Sequence, residues 1–141
     1  PPPAFEPVGL SLVGASISSC GGVEAFEHRL PKDAPLRPLF LADRPGKEKP
    51  DATVNMLVKH GVRSSLDYAK NGDLASARSL SNPALAPHLA FVDLGGHGYA
   101  KVRLDGQTLR SEFVCIPRPI VRSETEDGGP IRYRVVHTAS L

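Results

Sequence analysis

The sequence predicts a mixed α/β chain of the α+β kind, a predominantly β sheet flanked by two or three short helices. Three observations carry that expectation. Residues 99–116 alternate apolar and polar side chains on both sides of Asp105-Gly106, the mark of a hairpin. Residues 52–60 carry Val54, Leu57 and Val58 as a helical stripe between Asp51 and Gly61. The third is composition: no Trp, 6% aromatics, 14 prolines and 13 glycines among 141 residues, which means short elements, many connections and a thin core.

Each element follows in chain order. Pro1 to Pro7 is a stiff, extended lead-in. Val8 to Ser18 reads as a strand with Leu10, Leu12 and Ile17 as its larger apolar residues, and Ser18-Ser19-Cys20-Gly21-Gly22 breaks it. Val23 to Leu30 fits two helical turns, and Pro31, Pro35 and Pro38 prevent a longer helix. Leu36 to Ala42 is a short apolar piece that ends in an Asp43-Arg44-Pro45-Gly46 turn, with a polar linker to Pro50.

Asp51 is the expected N-cap of the helix over 52–60, and Gly61 stands where a C′ glycine belongs. Beyond it Val62, Ser64, Leu66 and Tyr68 fall on one side of a strand. A rival continues the helix through Gly61, using Val54, Val58, Val62 and Leu66. The break is favoured, because His60-Gly61 is a clean stop. Asn71-Gly72 turns the chain, and Asp73 caps a short helix through Leu80. Leu89 to Asp93 is expected to be a strand. The hairpin pairs Tyr99–Leu104 with Thr108–Ile116, placing Leu109, Phe113 and Cys115 on one face and Arg110, Glu112 and Val114 on the other. Pro117 and Pro119 stop it, and Ile131 to His137 alternates as a last strand.

Charge excludes some classes of partner. A net charge of +2 is nearly balanced, and residues 101–134 offset seven cations with five carboxylates. This reads as a mixed solvated surface with no nucleic-acid footprint. No apolar run reaches the roughly 20 residues of a membrane span. Cys20 and Cys115 could form one disulfide, which is no framework. The chain opens on Pro-Pro-Pro with Met56 as its only methionine, so a further segment is expected upstream.

The search for chemistry gives little. Histidines stand at 28, 60, 88, 97 and 137 without an HxH, HxxxH or HExxH pair. Asp93 and His97 come closest to a ligand pair, but structural roles are favoured. Cys20 sits in a Gly-rich loop whose sixth following residue is Phe26 and not Arg, so the phosphatase-loop spacing fails. Ser16 or Ser18 with His28 and Asp33 draws a triad that any Ser-rich chain allows. The Gly95-Gly96-His97-Gly98-Tyr99 turn has two readings, a bend beneath a sheet or a cleft mouth where His97 and Tyr99 meet a ligand. Arg118, held between Pro117 and Pro119, could offer its guanidinium to an anion or pair with Glu124 or Glu126.

Several of these residues also carry a resemblance. Gly14-Ala-Ser-Ile-Ser-Ser19 followed by glycines, then Asn82-Pro83, Pro87-His88-Leu89, Phe91-Val92-Asp93 and Gly98-Tyr99, resemble the late motifs of the PhoD-like alkaline phosphatases. Glu112 to Pro119 and Arg122-Ser-Glu-Thr look like a branch of the same family, and the likeness runs from about Val8 to His137. It implies the C-terminal portion of a four-layer αββα metallophosphatase-like fold, with residues 88–137 as its terminal strands. It also implies a phosphate-ester substrate, iron and calcium held by ligands upstream of this chain, and a periplasmic or secreted setting. No metal or catalytic residue maps onto positions 1–141; His97, Tyr99 and Arg118 are the candidate substrate contacts. His97 stands where many members carry Arg before Gly-Tyr, which weakens a substrate role there. On this reading the segment alone is inactive, and its partner is the upstream part of the same phosphatase. The different-class alternative is a freestanding β-rich anion-binding or accessory module that uses the Gly95 to Tyr99 turn and Arg118 to hold an anionic ligand.

Overall fold

The computed structural model describes residues 9–15, 19–117, 124 and 130–140. It is α+β, as expected, and divides into two units: a helical one built on Gly22–Gly95, and a sheet unit comprising Leu10–Gly21 and Gly96–Leu141. Helix makes up more of it than expected, with five short helices among the described residues.

The helical unit contains α1 (Gly22–Arg29), α2 (Arg37–Phe40), α3 (Val54–His60), α4 (Val62–Asn71) and α5 (Leu74–Ser79). Its core is small. Val23, Leu41 and Val54 are buried together, with Phe26, Phe40, Ala52 and Val58 packed around them. The Phe26 and Phe40 rings lie 4.8 Å apart, tilted against each other. Between the helices the filling is polar and small: Thr53, Ser64 and Ser65 have no exposed surface. The Ser65 hydroxyl is shared between the Leu39 carbonyl at 2.9 Å and the Thr53 carbonyl at 3.1 Å. It thus ties α4 to the end of α2 and the start of α3. A larger side chain there would push three helices apart.

Gly61 does what its position suggests. With φ +97 it ends α3, and its N–H donates to Leu57 and Met56 carbonyls. Its own carbonyl accepts from Ser65 at 3.0 Å, so a second helix starts at once where a strand was expected. Arg63, Leu66, Ala69 and Lys70 all favour helix, and Val62 and Leu66 face solvent at 52% and 45% exposure. The expected strand face is therefore split by the helix: Val62 and Leu66 turn outward, and Ser64, from the same expected face, is buried beside Ser65. Asp73 caps α5 as predicted, accepting from Ala75 N at 2.8 Å and Ser76 N at 3.3 Å.

Asp51 does not cap α3. Thr53 occupies that place without a side-chain bond, and Asp51 is drawn to Arg44 and Lys47 instead. Its backbone forms a bridge with Ala42, with both N–H···O distances 2.9 Å. The expected strand at 89–93 is likewise irregular chain. Asn55 holds it, accepting from Leu94 N at 2.9 Å and donating to Asp93 Oδ1 at 3.0 Å. The strand expected over 8–18 is not seen in its described part: residues 9–15 carry no strand, and Val13 is 82% exposed. Val8 and residues 16–18 lie outside the described residues, as does the Pro1–Pro7 lead-in.

The sheet unit contains β1 (His97–Leu104), β2 (Thr108–Ile116) and β3 (Tyr133–Ser140), antiparallel in that order. The register pairs Tyr99 with Val114, Arg103 with Arg110 and Leu104 with Leu109, and then Phe113 with Val135 on β3. The hairpin pairs as the sequence predicts, but β1 begins at His97, inside the expected glycine turn, and the last strand runs over Tyr133–Ser140 where Ile131 to His137 was expected. One sheet face carries Ala100, Val102, Leu104, Leu109, Phe113 and Val135; the other carries Tyr99, Lys101, Arg103, Arg110, Glu112 and Arg134. The connecting turn does not rely on Gly106, which has no positive φ. Asp105 holds it with its side chain, accepting from Gln107 N, Thr108 N and Thr108 Oγ1.

No helix among the described residues is long and apolar enough to cross a membrane.

Candidate functional site

Of the three candidate contacts, two lie together at the start of β1. His97 is buried, 2% exposed, and stands opposite Ile116. Tyr99, two residues on and on the same pleat face, is 41% exposed and stands opposite Val114. Arg118 lies outside the described residues, as do Arg122 and Glu126. The strand therefore presents a phenol ring to solvent and keeps the imidazole inside. Lys101 Nζ sits 5.5 Å from the Tyr99 ring centroid, close enough for a cation–π contact.

Gly98 fixes this arrangement. Its φ is +148, and a Cβ there would stand 1.9 Å from the Val114 carbonyl oxygen. The β1 backbone comes so close to β2 that only glycine fits. Gly95 is similarly crowded within the helical unit, because an added Cβ would meet Val23 Cγ2 at 2.8 Å.

Of the weaker candidates, Asp93 resolves into a structural role. Asp93 Oδ1 accepts from Asn55 and from Gly95 N, which makes it a turn-holding carboxylate. Cys20 is exposed and Cys115 buried, and both are free thiols. Among the described residues, no three His, Cys, Asp or Glu side chains come together to hold a metal ion.

Four features escaped the sequence reading. His60 Nδ1 and Ser81 Oγ are 2.8 Å apart, and Asn82 N donates to the His60 carbonyl at 3.0 Å. Burial, and then the charges of Lys59 and Arg78, push the His60 pKa below its ordinary value. The pair looks like a nucleophile and base, but no carboxylate among the described residues orients the second ring nitrogen. It is a strut between α3 and the chain after α5. Residues 21 apart give no sequence signal for it.

A second feature is a pair of inward-turned arginines. Arg37, 6% exposed, grips Asp43 through Nε at 2.8 Å and its Nη2 at 3.1 Å. The Arg37 hydrogen bond, opposed by burial and aided by the Arg37 and Lys32 charges, holds the Asp43 pKa below the usual carboxylate range. Arg44 pairs with Asp51, donates to the Tyr68 carbonyl and lies over the Tyr68 ring. Burial raises the Asp51 pKa and bonds from Lys47 and Arg44 outweigh it, leaving it lowered.

Third, a cleft of about 310 Å³ is lined by Lys32, Pro35, Arg37, Leu41, Asp43 and Ala69. Its guanidinium is already taken by Asp43 and the Leu30 carbonyl, so the cleft offers little to an incoming anion.

The fourth is the polar face of the sheet. It sets Lys101, Arg103, Arg110 and Arg134 against one carboxylate, Glu112. Arg134 meets Glu112 at 3.0 Å. The alternation of the hairpin about its turn was the signal that could have shown Arg103 and Arg110 facing each other.

No family model, curated protein or solved structure matches this chain.

Proposed function

We propose that this chain is the C-terminal structural part of a metal-dependent phosphoesterase of the PhoD-like kind, with the hydrolytic centre supplied by an upstream segment of the same protein. The observation that carries the reading is Gly98. The Gly98-Tyr99 pair belongs to the resembled motif, and it falls where the hairpin has no room for a Cβ. A motif residue with a physical need behind it is stronger support than a bare likeness.

The implied iron and calcium have no holder in the described residues, which gather no triad of suitable donors. No step of hydrolysis is therefore routed through them. On this reading the sheet is scaffold and rim. Tyr99 offers a solvent-facing ring and hydroxyl to the substrate side, and buried His97 sets the strand behind it. Arg118 adds a guanidinium for the phosphate ester. The outer strand β1 is exposed from Tyr99 to Leu104, with Val102 at 55% and Leu104 at 67%. Such an edge suits a sheet completed by further protein.

The test is the protein translated from the complete reading frame. It should hydrolyse p-nitrophenyl phosphate or its bis-ester, lose activity on chelation and regain it with iron and calcium. Residues 1–141 alone should not turn over either substrate. A complete frame without upstream Asp, Asn and His ligands, or turnover by residues 1–141 alone, would reject the reading. A freestanding anion-binding module is the second reading, and the basic sheet face favours it.

A further inference from the structure

The register sets Arg103 directly opposite Arg110 in the β1–β2 hairpin, an arrangement that like charges oppose. Opposed residues of an antiparallel pair have Cα atoms about 4.5–5.5 Å apart, so both guanidinium groups rise from one patch. Both side chains are exposed. Lys101 follows on the same face, one pleat repeat or about 6.8 Å along β1.

The carboxylates of the hairpin are otherwise engaged. Glu112 holds Arg134 at 3.0 Å. Asp105 accepts three bonds from Gln107 and Thr108 in the turn. Neither arginine has an ion pair with a carboxylate among the described residues. An oxyanion lying between two guanidinium forks would turn this repulsion into two charge-assisted contacts.

We propose that Arg103 and Arg110, with Lys101 beside them, form a binding site for a phosphoryl group. The site needs no metal and none of the candidate contacts His97, Tyr99 and Arg118, so it stands whether or not the chain belongs to a phosphoesterase. The phosphoryl group can come as free phosphate or on an ester, and the test separates the two.

The experiment follows the arginine Nε–H signals of the 141-residue chain by NMR at constant ionic strength, with inorganic phosphate in one arm and phenyl phosphate in the other. The double variant Arg103→Gln/Arg110→Gln is compared with Arg29→Gln/Arg63→Gln, which removes the same charge from the exposed helical surface. Saturable shifts of the Arg103 and Arg110 Nε–H groups are expected in wild type, and the affinity followed in all three proteins by the backbone amides of β1 and β2 should weaken at least about tenfold in the first variant and less than about twofold in the second. Equal affinity in both arms assigns the site to the phosphate group itself, and tighter phenyl phosphate assigns it to an ester. The first variant removes a repulsion and no core contact, so its amide spectrum should keep the hairpin pattern. As a second readout, phosphate should raise the melting temperature of wild type and of the helical-surface variant, but not of the hairpin variant. Shifts that never saturate in either arm, or equal weakening in the two variants, would overturn the proposal.

Discussion

Replacing Gly98 with alanine tests the tightest piece of the sheet. The new Cβ would lie 1.9 Å from the Val114 carbonyl oxygen and 3.0 Å from its carbon, both backbone atoms that cannot rotate away. The residue would also be held at φ +148, a conformation that costs an L side chain about 1–3 kcal/mol. Relieving the overlap means opening the rungs at His97–Ile116 and Gly98–Cys115. Each lost hydrogen bond there is worth a net of about 1 kcal/mol. Together these give a loss of about 3–5 kcal/mol, or about 10–20 °C in the melting of a chain this size. Gly106→Ala is the internal control. Nothing lies within 4 Å of its added Cβ and its φ is not positive, so that variant should stay level or gain about 0.4–1 kcal/mol. Urea titration read from the β2 amides would measure both. If Gly98→Ala stays within about 1 kcal/mol of wild type with the β1–β2 amide pattern intact, the close approach is wrong.

Two further outcomes follow from the helical unit. Asn55→Ala removes the bonds to Asp93 and from Leu94, and should cost about 1–3 kcal/mol. Hydrogen exchange should quicken at Leu94 and Gly95, and unchanged protection there would contradict the staple. His60 has a folded pKa below its ordinary 6.5, caused by burial and then Lys59 and Arg78. The folded state therefore disfavours the proton, and the contribution of His60 is present above its ordinary value of 6.5 and lost as pH falls below it and through the lower folded value. Wild type should lose more stability than His60→Gln between mildly alkaline and mildly acidic solution. Parallel urea midpoints across that range would sink the assignment.

What the sequence made legible was local. The Gly61 break, the Asp73 cap and the hairpin depend on residues a few positions apart, and each stands where expected. What it hid depends on distant partners. The chain at 89–93 is apolar enough for a strand, but Asn55, 38 and 39 residues away, holds its end in an irregular loop. Asp51 had the right type for a cap and was claimed by Arg44, seven residues before it. The stripe at 62–68 could be read with either period. The helix prevailed because Ser64 and Ser65, and not the aliphatic residues, fit the narrow space between helices. At the candidate site, the sequence began the strand at Tyr99 and left His97 in a turn, and it could not separate buried His97 from exposed Tyr99. Arg118 lies outside the described residues, so its part in the site rests on sequence.

Metal content speaks most directly to the claim that this chain is scaffold for a centre whose ligands lie elsewhere. Residues 1–141, loaded with iron and calcium and freed of excess, should retain neither in stoichiometric amount when measured by plasma mass spectrometry. One equivalent of either ion, released by mutating His, Asp, Glu or Cys side chains of this chain, would contradict it.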